Sequence, residues 1–136
     1  MAGVLVNTGE DRMLGLLVAK SGYSVETLTL KLYKSNTTPA ETSTAGDFTE
    51  STFTGYAAIN LVTGDWTLTP GAPSSAGCAQ KTFSSSANQA TEQCYGYLII
   101  MQTAGTLVAA ERFSDGPYPI ANNGDQVKIT ATITQD

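Results

Sequence analysis

Two cysteines and twelve carboxylates carry most of the reactive chemistry in this 136-residue chain, because it contains no histidine. Without histidine, neither a Ser-His-Asp nor a Cys-His nucleophilic centre can be built. Histidine-containing zinc sites are excluded as well, and two cysteines are too few for an all-thiolate one. Cys78 and Cys94 flank the Ser84-to-Gln93 segment at equal distances from Ser86. A hairpin centred there would set them opposite each other, as a cross-strand disulfide or as neighbouring thiols. The alternative is two small buried hydrophobes, the usual state of free cysteine. Three acidic pairs invite the same question: Glu10 with Asp11, Asp47 with Glu50, and Asp115 with Asp125. None follows the spacing of a helix-loop-helix calcium loop, and such acids commonly serve as solvated loop, cap and turn residues. Glycine-rich phosphate cradles are missing too. The expectation is a protein that is not an enzyme and holds no metal or cofactor.

Charge narrows the partners. Seven basic residues against twelve acidic ones give a net charge of −5, and charged residues make up only 14% of the chain. The basic residues are scattered, whereas nucleic-acid binders cluster them against phosphates. No direct nucleic-acid partner is expected. No apolar run reaches the roughly 20 residues that span a bilayer, so no membrane partner is expected either. The start, Met-Ala-Gly-Val-Leu-Val-Asn, lacks the charged and apolar regions of a signal peptide, consistent with synthesis in a cytoplasm.

The elements that must position these residues are mostly strands. Thr and Ser form roughly a quarter of the chain, and Thr favours a pleated, half-buried surface. In 27–33, Leu28, Leu30 and Leu32 alternate with Thr27, Thr29 and Lys31, which predicts a strand with one dry face. The run 127–134 repeats the pattern, with Val127, Ile129, Ala131 and Ile133 inward. Further strands are predicted over 55–62, 66–69, 77–83, 94–102 and 106–113, the 95–101 part being apolar enough for a central strand. One helix is predicted over 12–20, preceded by acids and closed by Lys20 as the helix dipole favours. Met13, Leu14, Leu17 and Val18 follow helical spacing and suggest packing against a sheet edge. Strands of this length between turn signals predict one antiparallel sandwich or barrel domain over 1–136, with an arm and short helix over 1–20 and the sandwich over 25–136.

Candidate contact residues come from the loops and the N-terminal arm. Phe48, Phe53 and Tyr56 flank a loop, and Tyr118 lies in one, so these four are the best aromatic contact candidates. Val4, Leu5 and Val6 form an apolar piece that either tucks onto its own domain or adds as a strand to a neighbouring chain. Ile120 closes Asp115-Gly116-Pro117-Tyr118-Pro119-Ile120, where two prolines hold an extended crossover or contact arm.

The order of certain pieces carries a resemblance. Leu28-Thr29-Leu30-Lys31-Leu32-Tyr33-Lys34-Ser35-Asn36-Thr37-Thr38-Pro39 precedes Asp47-Phe48-Thr49-Glu50-Ser51-Thr52-Phe53-Thr54-Gly55-Tyr56. Tyr95-Gly96-Tyr97, Ala110-Glu111-Arg112-Phe113, Asn123-Gly124-Asp125 and an alternating closing strand follow. From about Glu26 onward this series resembles the decoration, or cement, proteins of tailed-bacteriophage capsids. The resemblance implies a jelly-roll-like β-sandwich on the outer capsid surface of the virion, bridging major capsid protein subunits and having no active site. It also implies a homo-oligomer, dimer or trimer. Two other readings remain: a receptor- or glycan-binding module of a virion fibre, and a head–tail connector or tail protein. Exposed Phe48, Tyr56 and Tyr118 would favour the glycan module.

Overall fold

The computed structural model describes residues 3–18 and 20–135. It is mainly β and antiparallel, with one α-helix, as the alternating pattern predicts. In chain order the elements are β1 (Val4–Leu5), α1 (Asn7–Leu17), β2 (Leu28–Tyr33), β3 (Ile59–Leu61), β4 (Trp66–Thr69), β5 (Ser74–Cys78) and β6 (Lys81–Ser84). They continue with β7 (Glu92–Cys94), β8 (Gly96–Met101), β9 (Leu107–Arg112), β10 (Tyr118–Ile120), β11 (Gln126–Ile129) and β12 (Thr132–Gln135). A five-stranded sheet runs β1-β9-β8-β2-β3, and a three-stranded sheet runs β12-β5-β4. Two ribbons, β10-β7 and β11-β6, complete the set.

β8 shows why the long apolar run 95–101 becomes a central strand. All six of its residues are buried, which a strand manages only when both faces are covered. Tyr97, Ile99 and Met101 point into the main core, together with Leu30, Leu32, Phe83, Ile120, Val127 and Ile129. Leu98 and Ile100 point the other way, into a second cluster with Val6, Tyr33, Phe48, Leu107 and Ala110. β2 pairs in full register with β8, from Leu28 opposite Met101 to Tyr33 opposite Gly96. Burial of β2 on both faces also explains Thr29, which was expected to face water. It is buried and donates a hydrogen bond to Asn60 Oδ1 at 3.1 Å.

Other departures have local causes. The run 127–134 is two strands, because β11 pairs with β6 while β12 pairs with β5, and the chain changes sheet at Thr130 and Ala131. The run 77–83 is broken likewise, with β5 ending at Cys78 and β6 starting at Lys81. The second of these predicted runs also moves at its start, since β5 begins at Ser74 rather than Gly77. The helix begins at Asn7 rather than Arg12 and ends at Leu17, so Glu10 and Asp11 lie inside it; Ala19, the penultimate residue of the predicted helix, lies outside the described residues.

Loop ends are closed by carboxylates. Glu92 accepts from the Thr52 N–H at 2.9 Å, the Phe53 N–H at 3.3 Å and Lys34 Nζ at 3.2 Å. Burial by itself would raise its pKa, but the Thr52 amide and Lys34 together hold it below the ordinary glutamate value. Asp65 is held low by Lys81 and the Val62 amide, and Asp125 by the Ala121 and Asn122 amides. These lowered values fix a sign. Each carboxylate stabilises the fold above its unfolded pKa of about 4, and the contribution is lost as pH falls through the folded value. Cys78, Cys94 and Tyr33 shift the other way, pushed up by burial, Tyr33 to about 12. Their contribution is present below the unfolded thiol and phenol values and is lost as pH rises through the folded ones. With no histidine to titrate in between, the melting temperature should be flat from about pH 5 to 8 and fall on both sides. Glu92→Gln should lower stability by about 1–2 kcal/mol at pH 7 and flatten the acid limb. Calorimetric melts of both proteins from pH 3 to 10 check this; an unchanged acid limb in the variant would contradict it.

Candidate interaction surface

The N-terminal helix sits on the five-stranded sheet with its small residues inward. At the β8–β9 pair the register slips between Ile99 and Ile100, so Ile99 faces Ala109 but Ile100 faces Leu107, leaving Val108 without a partner. The Val108 carbonyl accepts the Val6 N–H at 3.1 Å. Thr8 Oγ1 then donates to the Leu107 carbonyl at 2.8 Å, fixing the first turn of α1. A Cβ at Gly9 would stand 2.5 Å from the Val108 oxygen, and one at Gly15 would collide with the Tyr23 ring. These two glycines are the buried residues of α1. The close seat of the helix therefore depends on their missing side chains.

The consequence is an amphipathic helix turned outward. Leu14 is 58% exposed, Leu17 82% and Val18 68%, although sequence spacing suggested that they face the sheet. Helical periodicity identifies a stripe; here the glycine stripe packs and the aliphatic stripe does not.

Residues 20–26, outside any strand or helix, form a strap pinned at both ends. The Lys20 N–H donates to the Gly15 carbonyl at 2.8 Å, and Arg12 lies over the Tyr23 ring at 5.1 Å. Glu26 accepts the Thr103 and Ala104 N–H groups at 2.6 and 3.2 Å, capping the turn between β8 and β9, and those amides lower its pKa. Between these anchors Val25 is 87% exposed.

The strap borders the corner where the chain passes from β3, an edge of one sheet, to β4, an edge of the other. A 3-10 turn, Thr63–Asp65, makes the corner. Its Asp65 accepts the Val62 N–H at 2.8 Å and Lys81 Nζ at 2.7 Å. Val62 and Leu68 are left well exposed around a groove of about 630 Å³ that also includes Val25, Leu28 and Trp66. A second, apolar cleft of about 240 Å³ lies between α1 and the sheets, lined by Met13, Leu16, Met101 and Val108. Val25, Glu26 and Leu28 line both, so the two join into one surface. β4 itself reads Trp-Thr-Leu-Thr, an edge strand without the lysine or other charge that usually protects such edges. An apolar face beside an unprotected edge is chemically suited to bind another protein.

The residues singled out from sequence lie elsewhere. Val4 and Leu5 pair with Ala110 and Ala109 of the same chain, so the arm tucks onto its own domain. Leu5, Val6, Phe48, Phe53 and Ile120 are buried in the core and are not contact residues. Tyr56 is half-buried; its hydroxyl donates to Glu50 Oε1 at 2.9 Å and accepts the Leu32 N–H at 3.2 Å, which locks the 48–56 loop to β2. Tyr118 packs against Phe113 with ring centroids 4.9 Å apart. Aromatic residues next to loops were drawn inward because loops this long fold back over the sheet. Pro119 fits the short β10-β7 ribbon, where a missing donor is tolerated.

Cys78 and Cys94 are free and buried, and their strands do not form the expected hairpin. β5 pairs with β4 and β12, whereas β7 pairs with β10. The Ser84-to-Gln93 segment crosses between ribbons, so symmetry about Ser86 has no structural counterpart. Cys94 lies 3.5 Å from the Ser51 hydroxyl inside the core. Among the described residues no three acidic or cysteine side chains gather as a metal site, and no helix is long and apolar enough to cross a membrane. The residues that sequence reasoning missed are Val25, outside any predicted element, Val62, the last residue of a predicted strand, and Leu68, inside another. Compared with protein-family models, curated proteins and solved structures, the chain matches none of them.

Proposed function

We propose that this protein is a virion structural protein that decorates and stabilises a phage capsid by bridging major capsid subunits, docking through its apolar corner. The observation that carries the proposal is the exposure of Val25, Val62 and Leu68 (87%, 59% and 78%) around one groove beside the uncharged edge strand β4. A lone exposed aliphatic residue is ordinary, but a cluster on a groove marks an interaction site. The capsid as partner rests on the resemblance carried by the 28–56 and 95–125 segments. A glycan-binding fibre module is less well supported, since Phe48 is buried and Tyr56 and Tyr118 are engaged in packing.

Low charge fits this role. A face with few ions can be covered without stripping water from charges, which is costly. Many copies, each weakly held, then brace a shell through avidity. Purified expanded capsids should bind the protein to a saturating stoichiometry in co-sedimentation and resist heat better with it. Binding should change little between about 0.1 and 0.5 M salt. Leu68→Asp and Val62→Asp should lower affinity at least about tenfold while leaving the melting temperature unchanged, as both side chains stand in solvent. Absence of binding, or binding indifferent to both substitutions, would overturn the proposal.

A further inference from the structure

β4 pairs with β5 on one side only, from Trp66 opposite Cys78 to Thr69 opposite Ser75. In an antiparallel pair, residues that exchange both backbone bonds alternate with residues whose N–H and C=O point away. Two bonds fix the alternation here. The Ala79 N–H donates to the Asp65 carbonyl at 2.7 Å, which makes 65 and 79 a bonded pair. The Cys78 N–H donates to the Ala131 carbonyl at 2.8 Å, away from β4. Thr67 and Thr69 therefore turn their backbone groups to β5, and Trp66 and Leu68 turn theirs to the open side. The Trp66 N–H is spent on the Thr63 carbonyl of the 3-10 turn, and Pro70 ends the edge without a donor. The Trp66 C=O, the Leu68 N–H and the Leu68 C=O are left facing outward.

Side chains say what fits beside these groups. Alternate residues of a strand share a face, so Trp66 and Leu68 lie together. Trp66 packs on the main core, and both residues line the groove with Val25 and Val62. A strand laid antiparallel along the edge carries the residue opposite Leu68 on that same face, over the groove. Its next residue stands beside Thr67, which is exposed, and the one after stands opposite Trp66. The edge thus suits an extended segment that is apolar, polar, apolar, with an N–H at both apolar positions. A second copy of β4 fits less well. With Leu68 opposite Leu68, Trp66 falls opposite Pro70, which has no N–H for its carbonyl. With Leu68 opposite Trp66, each Leu68 carbonyl meets an N–H already bonded to Thr63. Either register leaves a carbonyl of each copy without a donor.

We infer that β4 receives an extended segment of the major capsid protein by antiparallel strand addition, bonded to Trp66 and Leu68, with an apolar side chain seated in the groove opposite Leu68. The inference rests on the capsid reading above and supplies its mode of attachment. Main-chain bonds then give affinity, and the groove selects the side chain.

The test begins with the free protein. Amide exchange followed by nuclear magnetic resonance should find the Thr67 and Thr69 N–H groups protected and that of Leu68 exchanging fast. A protected Leu68 amide in the monomer would overturn the inference. Expanded capsids then separate backbone from side chain. Leucic acid in place of Leu68 exchanges the N–H for an ester oxygen and keeps the side chain; it should weaken capsid binding about two- to tenfold. Leu68→Pro should bind at least about tenfold more weakly than Leu68→Ala, since both lose the leucine but only proline lacks the donor. Far-ultraviolet circular dichroism checks the fold of each variant, and the ester decides the matter if the proline variant does not fold. Capsid binding that Leu68→Asp impairs but the ester does not would overturn strand addition while leaving docking at this corner in place. No binding by the wild type would overturn the capsid reading and this inference with it. A wild-type mass that doubles with concentration, and no longer does so in the ester variant, would give the edge to a second copy and overturn the inference.

Discussion

Gly96→Ala is expected to cost about 3 kcal/mol or more, the upper end of what overpacking a core does. In register, Gly96 lies between Tyr33 on β2 and Arg112 on β9, at the point where the three central strands begin their pairing. A Cβ there would run into the Glu111 carbonyl oxygen and the Tyr33 phenol. Neither neighbour can yield. The Glu111 carbonyl belongs to β9, and the Tyr33 ring is fully buried against Phe48 at 4.8 Å while its hydroxyl donates to the Thr37 carbonyl. Relief requires parting β8 from β9 or expelling Tyr33 from the second cluster, and either exposes apolar surface. Urea unfolding measures the loss, and the melting temperature should drop by roughly 10 °C. A loss below 1 kcal/mol would mean that the strands do not meet this closely.

The second large effect is a contrast between side chains of the same chemistry. Ile99→Ala should cost about 2–5 kcal/mol, since Ile99 is fully buried at the centre of β8 and its removal leaves a cavity between two sheets. Leu17→Ala and Leu68→Ala should each change stability by less than about 0.5 kcal/mol, because the side chains are 82% and 78% exposed. Equilibrium unfolding of the three variants in parallel decides the matter. A cost for Leu17→Ala comparable with that for Ile99→Ala would place the stripe of α1 inside the fold, and the proposed docking rests on the same exposure of Leu68.

The strands were readable in the sequence to the extent that one periodicity governed them. β2, β4, β8 and β9 follow from alternation or from a continuous apolar run, and they are where the chain is simply a β-sheet. Failures came where the partner changes within a run. Nothing in Val127-to-Thr134 marks the point at which the chain leaves β6 for β5, since both halves keep the same alternation. The cysteine symmetry failed for a related reason, because spacing measures distance along the chain and not which strand is adjacent. The exposed face of α1 was hidden by a sign. The i, i+3, i+4 pattern of α1 is genuine, but Gly9 and Gly15 on the opposite side pack closer than leucine could, and that reversed the stripe. Glycines spaced nearly two turns apart were the available signal. Val25, Val62 and Leu68 carried none, because they are far apart in sequence and only the β3–β4 corner assembles them.

Hydrogen–deuterium exchange of the protein bound to expanded capsids tests the docking claim most directly. Slowed exchange is expected in residues 25–28 and 62–69, where the strap and the unpaired edge of β4 border the groove. Unchanged exchange across 62–69, with new protection confined to another part of the chain, would contradict docking through this corner.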